Sequence, residues 1–218
     1  MKFRTLACSV FAFALCPFSN LRADAGFTPI DLAPQANFKL NAEKKSRTGH
    51  VVLKGVPFEL PASRAALQTE GQSAKGPTSF RIPVSVPRPT EVNILLQGGY
   101  VKREFSGKKV GEVVLEFKDG KQQVYPITAW KTLRETWAYN TEIVPPDSTG
   151  NPKLINVYAE PENRGKPATA FLDMFVIHLE QVGLTAELTA IEIRDLSKET
   201  VQDISPSLII SGISVKHD

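Results

Sequence analysis

Cysteine is almost missing from this 218-residue chain. The two that occur, Cys8 and Cys16, both lie near the N-terminus. The remainder carries no thiol, which excludes disulfide bracing, a cysteine nucleophile and a thiolate metal site there. Histidine is scarce too: His50, His178 and His217 stand far apart. No G-x-S-x-G, H-E-x-x-H or phosphate-binding loop occurs. Catalysis therefore has no motif to rest on. A glycoside hydrolase or lyase would have to draw on Asp173, Glu180, Glu187 and Glu192. Their spacing is silent on the separation of roughly 5–10 Å that such a carboxylate pair needs. Charge of one sign is also lacking. Setting aside Lys2, Arg4, Arg22 and Asp24 reduces 26 basic and 23 acidic residues to 23 and 22, a net of +1. Two short basic groups (Lys44, Lys45, Arg47 and Lys102, Arg103, Lys108, Lys109) lie beside turn residues and read as solvated loops. Nucleic acid is not an expected partner, since it calls for a clustered positive field.

What the N-terminus does have is an order. Lys2 and Arg4 come first, then an apolar run from Leu6 to Leu15, then small residues around Ala23-Asp24-Ala25. Basic, apolar and small in that order reads as a secretory signal peptide, cleaved before Gly26. The apolar run is about ten residues, too short for a helix across a bilayer core of roughly 30 Å. The residue before Cys16 is Leu15, not a small one, which argues against a lipid anchor. The expectation is a leader over residues 1–25, then one domain over residues 26–218, secreted or periplasmic, with no membrane span in the mature chain. About 190 residues suffice to bury a core without disulfides.

No long 3.6-residue period and no solenoid repeat is visible. Short runs of β-branched and aromatic residues recur between Gly, Pro, Asn and Asp clusters. They predict strands at His50–Lys54, Val56–Leu60, Ser79–Val86, Glu91–Gln97, Glu112–Lys118, Lys121–Ile127, Leu154–Ala159, Phe171–Leu179, Thr189–Arg194 and Ser207–Lys216. Leu67–Gln72 suggests a helical turn. Pro57, Pro83 and Pro126 fall in or at the ends of strands, where the missing N–H points to edges or bulges. Many short antiparallel strands in one domain predict an all-β, two-sheet sandwich or a barrel.

Two segments allow a finer reading. Asp119-Gly120 matches a two-residue type I′ hairpin loop, pairing Lys118 with Lys121, Leu115 with Val124 and Val114 with Tyr125. In FLDMFVIHL, Phe171–Leu179, both faces are apolar, as in a central strand covered on both sides. Asp173 in that run requires a hydrogen-bond or charge partner.

The ordered set FTPIDLAPQANFKL, KGVPFEL, EVNILLQGG, VVLEFKDGKQQVYPI with Trp137, LTAIEI and LIISGISV resembles the galactose-binding-like jelly-roll domains of bacterial secreted proteins. These are related to carbohydrate-binding modules attached to glycoside hydrolases. The resemblance spans most of Phe27–Val215. It implies a β-sandwich jelly roll that is usually non-catalytic; together with the aromatic and polar cluster at Trp130–Asn140 it leads to the expectation of a glycan bound through loops at one end. The chain departs from that pattern in three places. Asn41–Gly49 has no aromatic residue, Gln97 stands where a histidine is common, and Gln181–Leu184 replaces an Asn-Pro segment. Those departures favour the alternative of a structural or protein-interaction domain of the cell envelope.

A sugar site combines an aromatic face with a few placed polar groups. Trp130, Arg134, Trp137, Tyr139 and Asn140 fall within eleven residues, and Tyr100 follows Gly98-Gly99 at a strand end. These six are the candidate ligand-binding residues. Large aromatics are mostly buried, so each tryptophan also has a reading as a core plug. Trp137 is expected to fill that role and Trp130 to be the better sugar contact. Gly98-Gly99 equally suits a plain turn. No cofactor is expected. Asp31 and Asn37 supply too few oxygens for a calcium ion, which takes six to eight. The expected partner is a carbohydrate or another envelope protein.

Overall fold

A computed structural model describes residues 26–39, 48–61, 65–71, 75–143, 145–179, 186–200 and 206–218. The expected leader with Cys8 and Cys16, the Lys44, Lys45, Arg47 group, Glu180 and residues 181–184 lie outside the described residues. The chain is all-β, and two antiparallel sheets form a sandwich compatible with a jelly roll. The strands are β1 (Phe27–Ile30), β2 (Phe38–Lys39), β3 (Gly49–Leu53), β4 (Val56–Leu60), β5 (Ala65–Gln68), β6 (Ser79–Val86), β7 (Pro89–Gly99) and β8 (Lys109–Phe117). They continue as β9 (Gln122–Thr128), β10 (Trp137–Tyr139), β11 (Lys153–Asn163), β12 (Pro167–His178), β13 (Leu188–Asp195) and β14 (Ser207–His217). The larger sheet runs β10-β12-β7-β14-β5-β2, with β1 also on β14 and β11 also on β12. The smaller sheet runs β6-β13-β8-β9, and β3 and β4 pair as a separate hairpin. Among the described residues, no helix is long and apolar enough to cross a membrane.

Side-chain alternation explains the layers. In β7 and β12, Ile94, Leu96, Phe175 and Ile177 enter the core shared with Val113, Leu115, Ile191 and Ile193 of the smaller sheet. Their neighbours Leu95, Met174 and Val176 point the other way and meet Phe58, Leu53 and Val56 of the β3–β4 hairpin. The hairpin is thus a third layer, and β12 is covered on both faces as its sequence demands. Fully burying one such aliphatic or aromatic side chain contributes about 1.5–3 kcal/mol. Close approach of the hairpin explains Gly212 in β14: a Cβ there would lie 2.9 Å from Leu60 and 3.1 Å from Phe58. The smaller sheet has one wet face. There Arg81 pairs with Glu116, and Arg194 reaches both Glu112 and Glu192.

All ten predicted strands form, with ends displaced by a few residues. Pro83 and Pro126 fall on β6 and β9, the outer strands of the smaller sheet, and Pro57 lies in the two-stranded hairpin. Two local expectations are corrected. The residues Ala65–Gln68 are strand β5, not part of a helical turn, because Ile209 and Ile210 of β14 pair with Gln68 and Leu67. The β8–β9 loop has three residues, not two. Val114 faces Val124, and Leu115 faces Gln123. Phe117 N–H donates to Lys121 O at 3.0 Å, Gly120 N–H donates to Phe117 O at 2.9 Å, and Gly120 has φ +84°. This is a turn closed by a left-handed glycine, the usual three-residue solution. Asp119 Oδ1 accepts from Lys121 N–H at 3.1 Å and holds it. A one-residue shift exchanges the faces of a strand. Val124 is accordingly 51% exposed, and Tyr125 packs on the core. The tight turn with both central residues at positive φ occurs instead at Lys54-Gly55 of β3–β4, φ +53° and +82°.

Candidate functional site

The six candidate residues do not form one surface. Trp130 follows β9 in a tight turn where its own φ is +62°, and it is only 8% exposed. Its indole joins the main core, and Nε1–H donates to Lys102 O at 2.8 Å. A buried indole needs such a partner. Trp130 is therefore the plug at this end of the sandwich, contrary to the expected order of the two tryptophans.

Arg134 is buried as well. Its Nε and Nη2 donate to the two oxygens of Asp173 at 2.7 and 2.5 Å, a bidentate pair, and Asn156 Nδ2 adds a bond at 3.0 Å. The guanidinium lies 4.2 Å from the Phe171 ring centre. This supplies the partner Asp173 requires. It also removes Arg134 from the surface, since a buried charge must keep its counter-charge. The approach depends on Gly98: its N–H donates to Arg134 O at 3.0 Å, and a Cβ would come within 2.2 Å of Val101 and 3.0 Å of Arg134 O.

Between these buried residues and the surface lies Glu135. Its carboxylate accepts from the N–H of Val101 and feels the backbone of Tyr100 and the charge of Arg164. Burial outweighs those contacts and pushes its pKa up to about 7. Tyr100, at φ +62°, is 46% exposed beside that turn.

Trp137 and Tyr139 are the outward half. Both are half-buried on β10, two residues apart on one face, with rings T-shaped at 5.3 Å between centres. Pairing extends this face across two more strands. Trp137 sits opposite Ala170 of β12, and Ala170 sits opposite Glu160 of β11. Tyr139 sits opposite Ala168, and Ala168 opposite Glu162. Directly opposed residues share a face. The result is a trough with an alanine floor, an aromatic wall and an acidic wall. The walls stand two strand spacings apart, roughly 10 Å between backbones. Tyr158 continues the acidic wall; burial first, and then its hydrogen bond to Glu160, push its pKa up to about 12. Asn140 lies outside the trough: its Oδ1 accepts from Thr169 Oγ1 at 2.9 Å, and Thr169, between Ala168 and Ala170, faces the other side of β12.

Arg164, from the β11–β12 turn, lies over this trough. Its Nε donates to Glu162 Oε2 at 2.6 Å, and its guanidinium carbon is 4.4 Å from the Trp137 ring centre. Glu162 and Trp137 stand on opposite sides of β12, so the guanidinium must cross the floor. Sequence reasoning missed Tyr158, Glu160, Glu162 and Arg164: the predicted strand ends at Ala159, and nothing local places that strand across β12 from Trp137. The signal was present: Tyr158, Glu160 and Glu162 keep the period of two that one sheet face requires.

Other candidates serve the framework. Asp31 Oδ1 accepts from Ala33 N–H, while Asn37 both donates to and accepts from the Gln68 backbone. Asp173 faces the core from the larger sheet, whereas Glu192 faces outward on the smaller one beside Arg194. Glu187 pairs with Lys118 at 2.8 Å. Among the described residues, no group of three or more His, Cys, Asp or Glu is arranged to hold a metal ion. A cleft of about 460 Å³ lies between Glu70, Thr78, Arg194, Asp195 and Lys198. Its polar groups are engaged with one another: Asp195 accepts from Thr69 and Ser197, and Lys198 pairs with Glu70 at 2.7 Å.

Comparison of the chain with protein-family models, with curated proteins and with solved structures finds no match.

Proposed function

We propose that this protein is an exported, non-catalytic carbohydrate-binding domain whose site is the trough between β10 and β11. One observation carries the reading: Trp137 and Tyr139 present a half-exposed aromatic pair beside a floor of alanines and a wall of carboxylates. An indole face takes the C–H side of a sugar ring, and the carboxylates take hydroxyls. Trp130 and Arg134, assigned to the ligand on sequence grounds, act as support: they hold the segment from which Trp137 projects.

A glycan array tests this. Wild-type protein binds at least one glycan, and Trp137→Ala loses that binding while keeping its unfolding temperature within a few degrees. Failure of folded wild-type protein to bind any glycan refutes the reading. The second reading, an envelope protein-interaction domain, draws on the guanidinium that already covers Trp137. It predicts capture of a protein partner that Trp137→Ala abolishes and no glycan displaces.

A further inference from the structure

We infer that the trough selects an amine-bearing glycan, and that Arg164 occupies the ligand's place until that ligand displaces it. The inference rests on the carbohydrate reading above and adds the ligand class and a built-in competitor. Its first support is charge. Glu160 and Glu162 form the wall opposite Trp137 and the cation seated between the two walls is Arg164, so an ammonium complements the trough where a neutral sugar does not. Its second support is the position of Arg164. A cation stacked on an indole and hydrogen-bonded to a carboxylate is the arrangement an amino sugar would adopt, with the ring over Trp137 and the ammonium on Glu162.

Two features make Arg164 displaceable. It is 46% exposed, and it stands in the turn closed by Gly165 at φ +77°. Glu162, in contrast, has a side chain only 9% exposed and is set by its strand. The acidic and aromatic walls are therefore built on paired strands, while the cation between them hangs from a turn. Exchange of one cation for another leaves the buried carboxylate paired throughout, which avoids the cost of stranding it.

Calorimetric titration with a β-1,4-linked glucosamine tetramer, its fully N-acetylated form and the glucose tetramer tests the inference. Wild type is expected to bind the glucosamine tetramer and to prefer it over the other two. Arg164→Ala is expected to tighten that binding by roughly five- to tenfold, since one exposed cation–π contact and one ion pair no longer compete. Trp137→Ala and Glu162→Gln are expected to weaken it at least about tenfold, the worth of a charge-assisted contact. Thermal unfolding of each variant confirms that it remains folded. Equal binding of all three tetramers, or weaker binding by Arg164→Ala, overturns the inference and leaves the carbohydrate reading standing. Binding of polylysine without binding of the glucosamine tetramer also overturns it, in favour of a basic peptide. If the glycan array is blank as well, both readings fall together.

Discussion

Replacing Glu135 by glutamine should make the protein more stable at alkaline pH and change how stability depends on pH. Burial raises the carboxyl from its ordinary 4.5 to about 7, against the pull of the Val101 and Tyr100 backbone and of Arg164. The folded-state pKa thus lies above the unfolded one. Between those values the folded chain holds a proton that the unfolded chain has released. The contribution to stability is complete below about pH 4.5 and is lost as pH rises through 7. Each pKa unit is worth about 1.4 kcal/mol, so roughly 3 kcal/mol is lost across that window. Glutamine keeps the shape and an oxygen for the Val101 N–H but never ionises. The stability of Glu135→Gln relative to wild type should therefore climb by roughly 3 kcal/mol from pH 4.5 to pH 8. Urea unfolding of both proteins at pH 5, 6, 7 and 8 reads this directly, because titrations shared by the two cancel in the difference. Parallel curves, or a difference that falls as pH rises, would refute the reasoning. Arg164→Ala supplies a second check: without the guanidinium, the Glu135 midpoint followed by carboxyl NMR should move further up.

Asp173→Ala should destabilise by about 3–5 kcal/mol in urea unfolding because it leaves the Arg134 guanidinium buried without its counter-charge. The double substitution Arg134→Met with Asp173→Leu should recover most of that loss, which a double-mutant cycle would show. Gly212→Ala should cost about 1–3 kcal/mol by displacing the Leu60, Phe58 and Leu95 side chains packed between the β3–β4 hairpin and the larger sheet. Calorimetry should record a fall of roughly 2–12 °C in Tm for a chain of this size.

The strands were legible because their cause is local. Alternation in IEIRD of β13 and two-sided apolarity in FLDMFVIHL of β12 follow from which faces are wet, and both patterns match the layers found. Loop geometry was less legible. Asp119-Gly120 reads as a two-residue turn, yet Phe117 pairs with the Lys121 carbonyl and the whole of β9 shifts by one. The short strands β1, β2, β5 and β10 carry too little pattern to be seen alone, because their partners (β14 for β1 and β5, β5 for β2, β12 for β10) are distant in sequence.

By itself, the sequence determined the strand-rich class, the need of Asp173 for a partner and the absence of a recognisable catalytic motif. Each depends on the identity of residues or on their spacing along one strand. Only the tertiary structure decided which tryptophan is inside. Trp130 and Trp137 are seven residues apart and alike in local context. The turn after β9 folds Trp130 into the core, while pairing of β10 with β12 leaves Trp137 outward, beside Glu160 and Glu162 of a third strand. Strand order brings those carboxylates to the indole, and strand order is set by contacts that no local window contains.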